Sequence, residues 1–469
     1  MATAQASTTD WAGSLEPSPA GPIDEAEAAT LARPPAADLP RALQVLRFSQ
    51  RQIEWVFACR RKLGPVFRVK GVIPGDPTIT SHPDHVKSLF TAKPGLAPSL
   101  TGESPLRPIL GSGSVLTSVG ERHMRQRKLL LPPFHGEAVA RYVEMIDEVT
   151  EREIDRWPVN EPMALAPRMQ AITLDVIMRG IFGVEGKPAK GTPEHGLRLA
   201  TRRLTELSTK PVAQIGELTN LGRTEAVGLT KLAMKVIDRP MFQIIADRHR
   251  ATDLDERTDI MSLLMRARTE EGEALSHQEL RDELLTLVLA GHETTANQLA
   301  WTWERLVRWP EALERLTAAV REDAEDADEV IEQTINESMR SRPVVPIIGR
   351  RVTVPWRLGD YAVPAGAPIS MSILLIHHRE DIYPDPFSFR PERWEGVKPD
   401  TYRWIPFGGG VRRCLGAALA MAEQRAVLKA MARRLDLAAA DPEPERALHR
   451  NVTMVPARGG QVVVTGKRP

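Results

Sequence analysis

The stretch from Ser276 to Pro310, SHQELRDELLTLVLAGHETTANQLAWTWERLVRWP, constrains the fold more than any other part of the chain. Ser276 followed three residues later by Glu279 is the pattern of a capping box, and no proline interrupts the run before Pro310. About 33 residues in one helix span ~50 Å at 1.5 Å per residue, the width of a domain. Between Leu284 and Ala290 the helix is apolar on every side. A helix of that kind is buried, with other elements wrapped around it.

The rest of the chain fits this frame. A helical pattern continues from about residue 122 to 340, and a helix-like segment, RALQVLRFSQRQIEWVFACRRKLG, lies nearer the N-terminus. PVFRVKG and PTITSH alternate as strands do, with IPGD as the turn between them, and PDHVKSLFT returns to helix. Residues 93–120 are rich in Pro and Gly, and a connection that long is usually functional. After Arg340, ten prolines between Pro343 and Pro406 exclude long helices and leave short strands and turns. LGAALAMAEQRAVLKAMARRL is the last helix, and HRNVTMVPARGGQVVVTGK reads as a closing hairpin. No internal repeat or break in composition divides the chain. The expectation is a single, mainly α domain with a small β part over residues 39–469. Residues 1–38, rich in Ala, Pro, Ser and acids, read as a disordered arm.

Bulk properties exclude several function classes. A net charge of +1 offers no reason to expect nucleic acid as a partner. No apolar run approaches 18 residues, so no membrane anchor is expected. Two cysteines, Cys59 and Cys414, are too few for a disulfide framework and suit a reducing, cytoplasmic setting.

Cys414 lies in FGGGVRRCLG, between a glycine-rich turn and the start of the last helix. Four uses are open to it: a buried structural thiol, part of a phosphate cradle, a nucleophile with a histidine partner, or a metal ligand. The glycine spacing matches no phosphate loop, and zinc would need further Cys or His close by. A lone thiolate suits haem iron, because the porphyrin supplies the other ligands. The helix N-terminus and the adjacent Arg412 and Arg413 are expected to favour the thiolate. Gly410 and Gly416 permit a tight turn near a flat ligand.

Phe407, Gly410, Arg412, Cys414 and Gly416 resemble F-x-x-G-x-R-x-C-x-G, the haem-binding signature of the cytochrome P-450 family. Other segments resemble the family in the same order, from about Leu39 to the C-terminus. ESMR carries Glu337 and Arg340, spaced to share a helix face. With Arg393 of FRPERW they are similar to the family's E-x-x-R and arginine network, Trp394 standing where Phe is commoner. AGHETT is similar to the motif that lies over the haem, with Gly291 beside the cofactor and Glu293 and Thr294 as the acid–alcohol pair that delivers protons. His292 occupies a loose position of that motif and is expected to be a packed neighbour. His123 and Arg127 stand four apart on one helix face, and with Arg350 and Arg412 they are the implied partners of the haem propionates. Arg122, Arg125 and Lys128 are expected to face elsewhere, toward an acidic electron donor.

The resemblance implies a haem-thiolate monooxygenase of the soluble bacterial type. Haem b would be held between the long helix and the cysteine loop, with Cys414 on the iron. It would use dioxygen and two electrons to hydroxylate or epoxidise a lipophilic small molecule. About 55 residues follow Cys414, so electrons are expected from a separate ferredoxin and ferredoxin reductase. The substrate pocket would draw on Leu287, Ala290, Val345, Ile347 and Met454, together with parts of 93–120 and 190–245. Two readings of other classes share the same cysteine: a thiol enzyme with Cys414 as nucleophile, and a haem sensor without turnover.

Overall fold

A computed structural model describes residues 15–71, 75–134, 136–184, 186–208, 219–220, 222–450 and 452–469. The predicted long helix is one element, His277–Leu306. Its capping box is formed: the Ser276 hydroxyl accepts from the Glu279 amide at 3.2 Å, and the Glu279 carboxylate accepts from the Ser276 amide at 3.0 Å. It stops short of Pro310, which opens the next helix, Pro310–Arg321, where a missing amide is harmless.

This central helix packs against Leu165–Phe182, Gly228–Arg250, Ala327–Ser341 and Ala417–Arg434. Leu284, Leu285 and Val288 are completely covered, each worth roughly 1.5–3 kcal/mol of burial. A Cβ on Gly291 would lie 2.7 Å from Ile177 of Leu165–Phe182. The glycine therefore serves close helix packing.

The predicted strands Val66–Arg68 and Thr78–Thr80 pair antiparallel. Thr78–Thr80 then pairs in parallel with Pro368–Ser372, which pairs antiparallel with Ile347–Arg351. Arg350 thus stands on an edge strand of a four-stranded sheet. Part of the predicted IPGD turn, Ile73 and Pro74, lies outside the described residues.

Two expectations are corrected. The tail is not one hairpin. Ala447–Arg450 pairs with Thr453–Pro456, whereas Gln461–Lys467 pairs with Leu435–Ala439 and Pro162–Ala164. Gly459 and Gly460, at φ 80° and 70°, redirect the chain between these pairings. The arm expected at 1–38 is built into the fold from its middle onward. Ala20–Pro22 pairs antiparallel with Trp356–Leu358, Asp24 caps a short helix at Glu25–Thr30, and Ala37 is buried. Its polar composition concealed a strand whose partner lies far along the chain. Residues 1–14 lie outside the described residues.

Candidate active site

The cysteine loop closes on itself before the helix Ala417–Arg434 begins. Cys414 N–H donates to Phe407 O at 2.9 Å, Arg413 N–H to Gly410 O at 3.1 Å, and Gly408 N–H to Ile405 O at 3.0 Å. The glycines answer to Phe90, the last residue of the helix Pro83–Phe90. A Cβ on Gly409 would lie 2.3 Å from the Phe90 ring, and one on Gly410 (φ 61°) would lie 2.5 Å from the Phe90 carbonyl. Gly416 differs, since a Cβ there would meet nothing within 4 Å. Phe90 carried no sequence signal, because only the fold brings it under the loop.

Burial raises the pKa of the Cys414 thiol, against the pull of a hydrogen bond from the Gly416 backbone and of the Arg127 and Arg413 charges. The backbone and arginine contributions run in the direction expected, and burial outweighs them. Arg413 acts on the sulfur as predicted, but Arg412 turns away and donates to the carbonyls of Val115 (3.1 Å) and Ser118. Cys414 nevertheless retains accessible surface, so the sulfur lies deep in the protein but opens onto free space. Among the described residues no cluster of three or more His, Cys, Asp or Glu side chains could hold a metal ion.

His123, Arg127, Arg350 and Arg412 converge. Burial, then Arg412, Arg127 and Arg350, push the buried His123 imidazole down to about 4. Burial, then Arg350 and Arg127, push Arg412 down to about 10, and burial alone takes Arg350 to about 10. Arg127 donates to Arg413 O at 2.8 Å and Arg350 stacks over the Phe90 ring at 5.8 Å. None of these three arginines has a carboxylate partner among the described residues. One buried and two half-buried cations around one neutral imidazole call for an anionic ligand. Their neighbours on the same helix behave otherwise. Arg122 and Arg125 reach Glu279 at 3.8 and 3.1 Å, and Lys128 reaches Glu270 at 2.9 Å. That set is paired internally.

The predicted network is present, with Glu337 and Arg340 completely covered and Arg393 partly exposed. Arg340 grips Glu337 with two bonds, Nε to Oε2 at 2.7 Å and Nη2 to Oε1 at 2.8 Å. Arg393 Nε donates to Glu337 Oε1 at 3.1 Å, and so does the Arg390 amide at 2.8 Å. Arg340 also binds the carbonyls of His377, Pro386 and Ser388. The Trp394 indole N–H donates to Glu337 Oε2 at 3.1 Å, a bond that the commoner Phe could not make. From Trp394 the rings run edge-to-face through Trp404 to Phe407, tying the network to the cysteine loop.

On the central helix, Ala290 is exposed although Val288 and His292 are buried. It lies on the accessible side, with Leu287 and Thr294 half-buried near it. The Thr294 hydroxyl donates to Ala290 O at 2.6 Å, which leaves its lone pairs free to accept. Glu293 is ion-paired with Arg450, a partner the motif did not disclose. His292 is packed as expected, with Nδ1 3.0 Å from Val288 O. Of the predicted pocket residues, Val345 and Ile347 keep partial exposure. Met454 is only 1% exposed; its amide donates to Val344 O at 2.6 Å and its carbonyl accepts from the Trp301 indole. It braces the turn at 344–347 instead of lining open space. The predicted pocket contribution from 209–218 lies outside the described residues.

An open thiol deep in the protein, an open alanine in mid-helix and three arginines without carboxylates fit a flat, dianionic haem. Comparisons with known proteins agree. The family model for cytochrome P450 matches residues 34–464. A putative cytochrome P450 137 of Mycobacterium tuberculosis is 39% identical over 86% of this chain and 83% of its own. A putative cytochrome P450 135B1 of Mycobacterium bovis is 35% identical over 93% and 92%. The structure of a retinoic acid bound cyanobacterial CYP120A1 superposes with a TM-score of 0.77 at 22% identity, covering 93% of this chain and 100% of that one, and shows the same fold. No helix among the described residues is long and apolar enough to cross a membrane. The chain belongs to the cytochrome P450 family and is a haem-thiolate monooxygenase, an oxidoreductase with haem b as its cofactor.

Proposed function

We propose that this enzyme hydroxylates or epoxidises a lipophilic small molecule in the cytoplasm, with electrons from a separate ferredoxin and its reductase. The observation that carries the reading is the open Ala290 surface beside Thr294 and Glu293, on an aliphatic helix face. Haem b, when bound, supplies the activation of dioxygen. The chain's own residues do the rest. Cys414, as the thiolate, would bind the iron. The Gly416 N–H, Arg127 and Arg413 would favour that thiolate. His123, Arg127, Arg350 and Arg412 would hold the two propionates by charge-assisted bonds. Phe407 and Gly416 would adjoin the cofactor. Thr294 holds a water or hydroxyl through its free lone pairs, and Glu293 passes protons inward from the Arg450 side. Leu287, Ala290, Val345 and Ile347 offer aliphatic contacts, which favour apolar ligands.

Two measurements test this. The reduced protein with carbon monoxide should show the thiolate-haem band, lost in Cys414→Ser and kept in Cys59→Ser. A lipophilic library screened by Soret shift should then yield ligands that drive electron consumption from a ferredoxin. A protein with no Soret band, or with ligands but no substrate-dependent electron consumption, would defeat the proposal.

A further inference from the structure

His249 lies in the last turn of Gly228–Arg250, and His277 is the first residue of the central helix. Far apart in sequence, they meet in the fold with ring centres 4.9 Å apart and ring planes tilted by 45°. Both residues are exposed, and neither ring has a hydrogen-bond or ion-pair partner among the described residues. A second pair, His82 and His85 at 5.0 Å, shows the contrast. Those two are buried. His85 meets Thr80 and Ser18 through its two nitrogens, and His82 accepts from the Asp84 amide at 3.2 Å. Only the exposed pair keeps its nitrogens for something else.

Both helix ends are held in place. Arg248, next to His249, donates to Asp259 at 2.7 Å and to Phe182 O at 2.8 Å, and the capping box of Ser276 and Glu279 fixes the backbone at His277. Side chains on fixed helices make a more precise site than side chains on loops. The cations that flank His249 are neutralised, Arg248 by Asp259 and Arg250 by Asp247. The last turn of one helix favours a cation and the first turn of the other disfavours it, so the two dipoles oppose each other. We infer that His249 and His277 bind one divalent transition-metal ion between them, with water at its remaining positions. Imidazole suits zinc, copper and nickel. A Zn–N bond of ~2.0–2.1 Å puts each ring centre ~3.2 Å from the ion, and two rings at a tetrahedral angle then have centres ~5.2 Å apart. The observed 4.9 Å needs only a small side-chain rotation to meet that. Two protein ligands, against the four of a structural zinc site, make the ion exchangeable. When bound, it would join the end of one helix to the start of the helix that carries Glu293 and Thr294. It would stabilise the fold, because the unfolded chain does not hold the two rings together.

The test is equilibrium dialysis of the full-length, haem-loaded protein against zinc, with magnesium for comparison, and thermal melting in the presence of each ion. Zinc should bind and raise the melting temperature. Magnesium takes oxygen ligands and should do neither. His249→Gln and His277→Gln should each weaken zinc binding by at least about a hundredfold, because one imidazole alone loses the gain of two held together. The double variant should bind no more weakly than either single one. Both positions are exposed, so the variants should keep the carbon monoxide band of the parent, and should one lose it, the other carries the test. No binding of zinc, equal binding of magnesium, or unchanged zinc binding in either folded variant overturns the inference. The last result would place the ion on a single histidine or on other residues.

Discussion

Glu293 of the central helix and Arg450 of the Ala447–Arg450 strand form an ion pair with side chains only 18% and 12% exposed. The carboxylate of the acid–alcohol pair is thereby tied to the C-terminal hairpin, whose other strand braces the 344–347 turn through Met454. In the proposed reading, proton supply and the wall of the pocket share a support.

Arg450→Met should release Glu293 from that support. If the pair orients the carboxylate for proton delivery, product formed per electron pair falls by about tenfold, and Arg450→Lys restores part of it. The Soret-shift affinity for a ligand should change little in either variant. Unchanged coupling in Arg450→Met would remove the positioning role.

Thr294→Ala tests the alcohol. Alanine is the best helix former, and the lost hydroxyl bonds only its own turn in this structure, so the fold should be kept. Electrons should still be consumed, but product per electron pair should drop by about tenfold as hydrogen peroxide escapes. Peroxide and product yields, measured together, decide it.

Glu337 accepts from Arg340, Arg393, Trp394 and the Arg390 backbone while itself 0% exposed. Trp394→Phe removes one bond to a charged group and should cost about 1.5–3 kcal/mol. Glu337→Ala leaves two buried arginines unpaired and should cost about 3–5 kcal/mol or prevent haem loading. Thermal melting of the two variants should rank them in that order. A Trp394→Phe protein as stable as the parent would show that the indole bond contributes nothing.

Acid should destabilise the chain through buried neutral histidines. Burial above all holds His85 and His377 down at about 3. His85 is fixed between Thr80 at 2.6 Å and Ser18 at 2.8 Å, and His377 accepts from the Ile405 amide at 2.9 Å. Their folded pKa values lie below the unfolded value of roughly 6.5. The unfolded chain therefore binds more protons in acid. Stability is fully present above about pH 6.5 and is lost as the pH falls toward about 3, by ~1.4 kcal/mol per pH unit per histidine. Urea midpoints at about pH 7 and pH 5 should differ in that sense, and His85→Gln should show the shallower slope. A midpoint that rises in acid contradicts the argument.

Local sequence determined what local geometry controls. The capping box of Ser276 and Glu279, the bidentate pair of Glu337 and Arg340, and the shared face of His123 and Arg127 follow from helical spacing. The burial of the central helix follows from its all-round apolar pattern. The cysteine stretch and its companions were legible because their residue types recur in fixed order. Contacts between distant segments were not legible, because periodicity shows which face is buried and not what covers it. Arg450 on Glu293, Phe90 beneath Gly409 and Gly410, the strand at Ala20–Pro22 and the inward turn of Arg412 are of this kind. So is the state of the thiol. The helix start and the arginines beside Cys414 argued for a lowered pKa, but the desolvation that raises it exists only once the chain has packed around the sulfur.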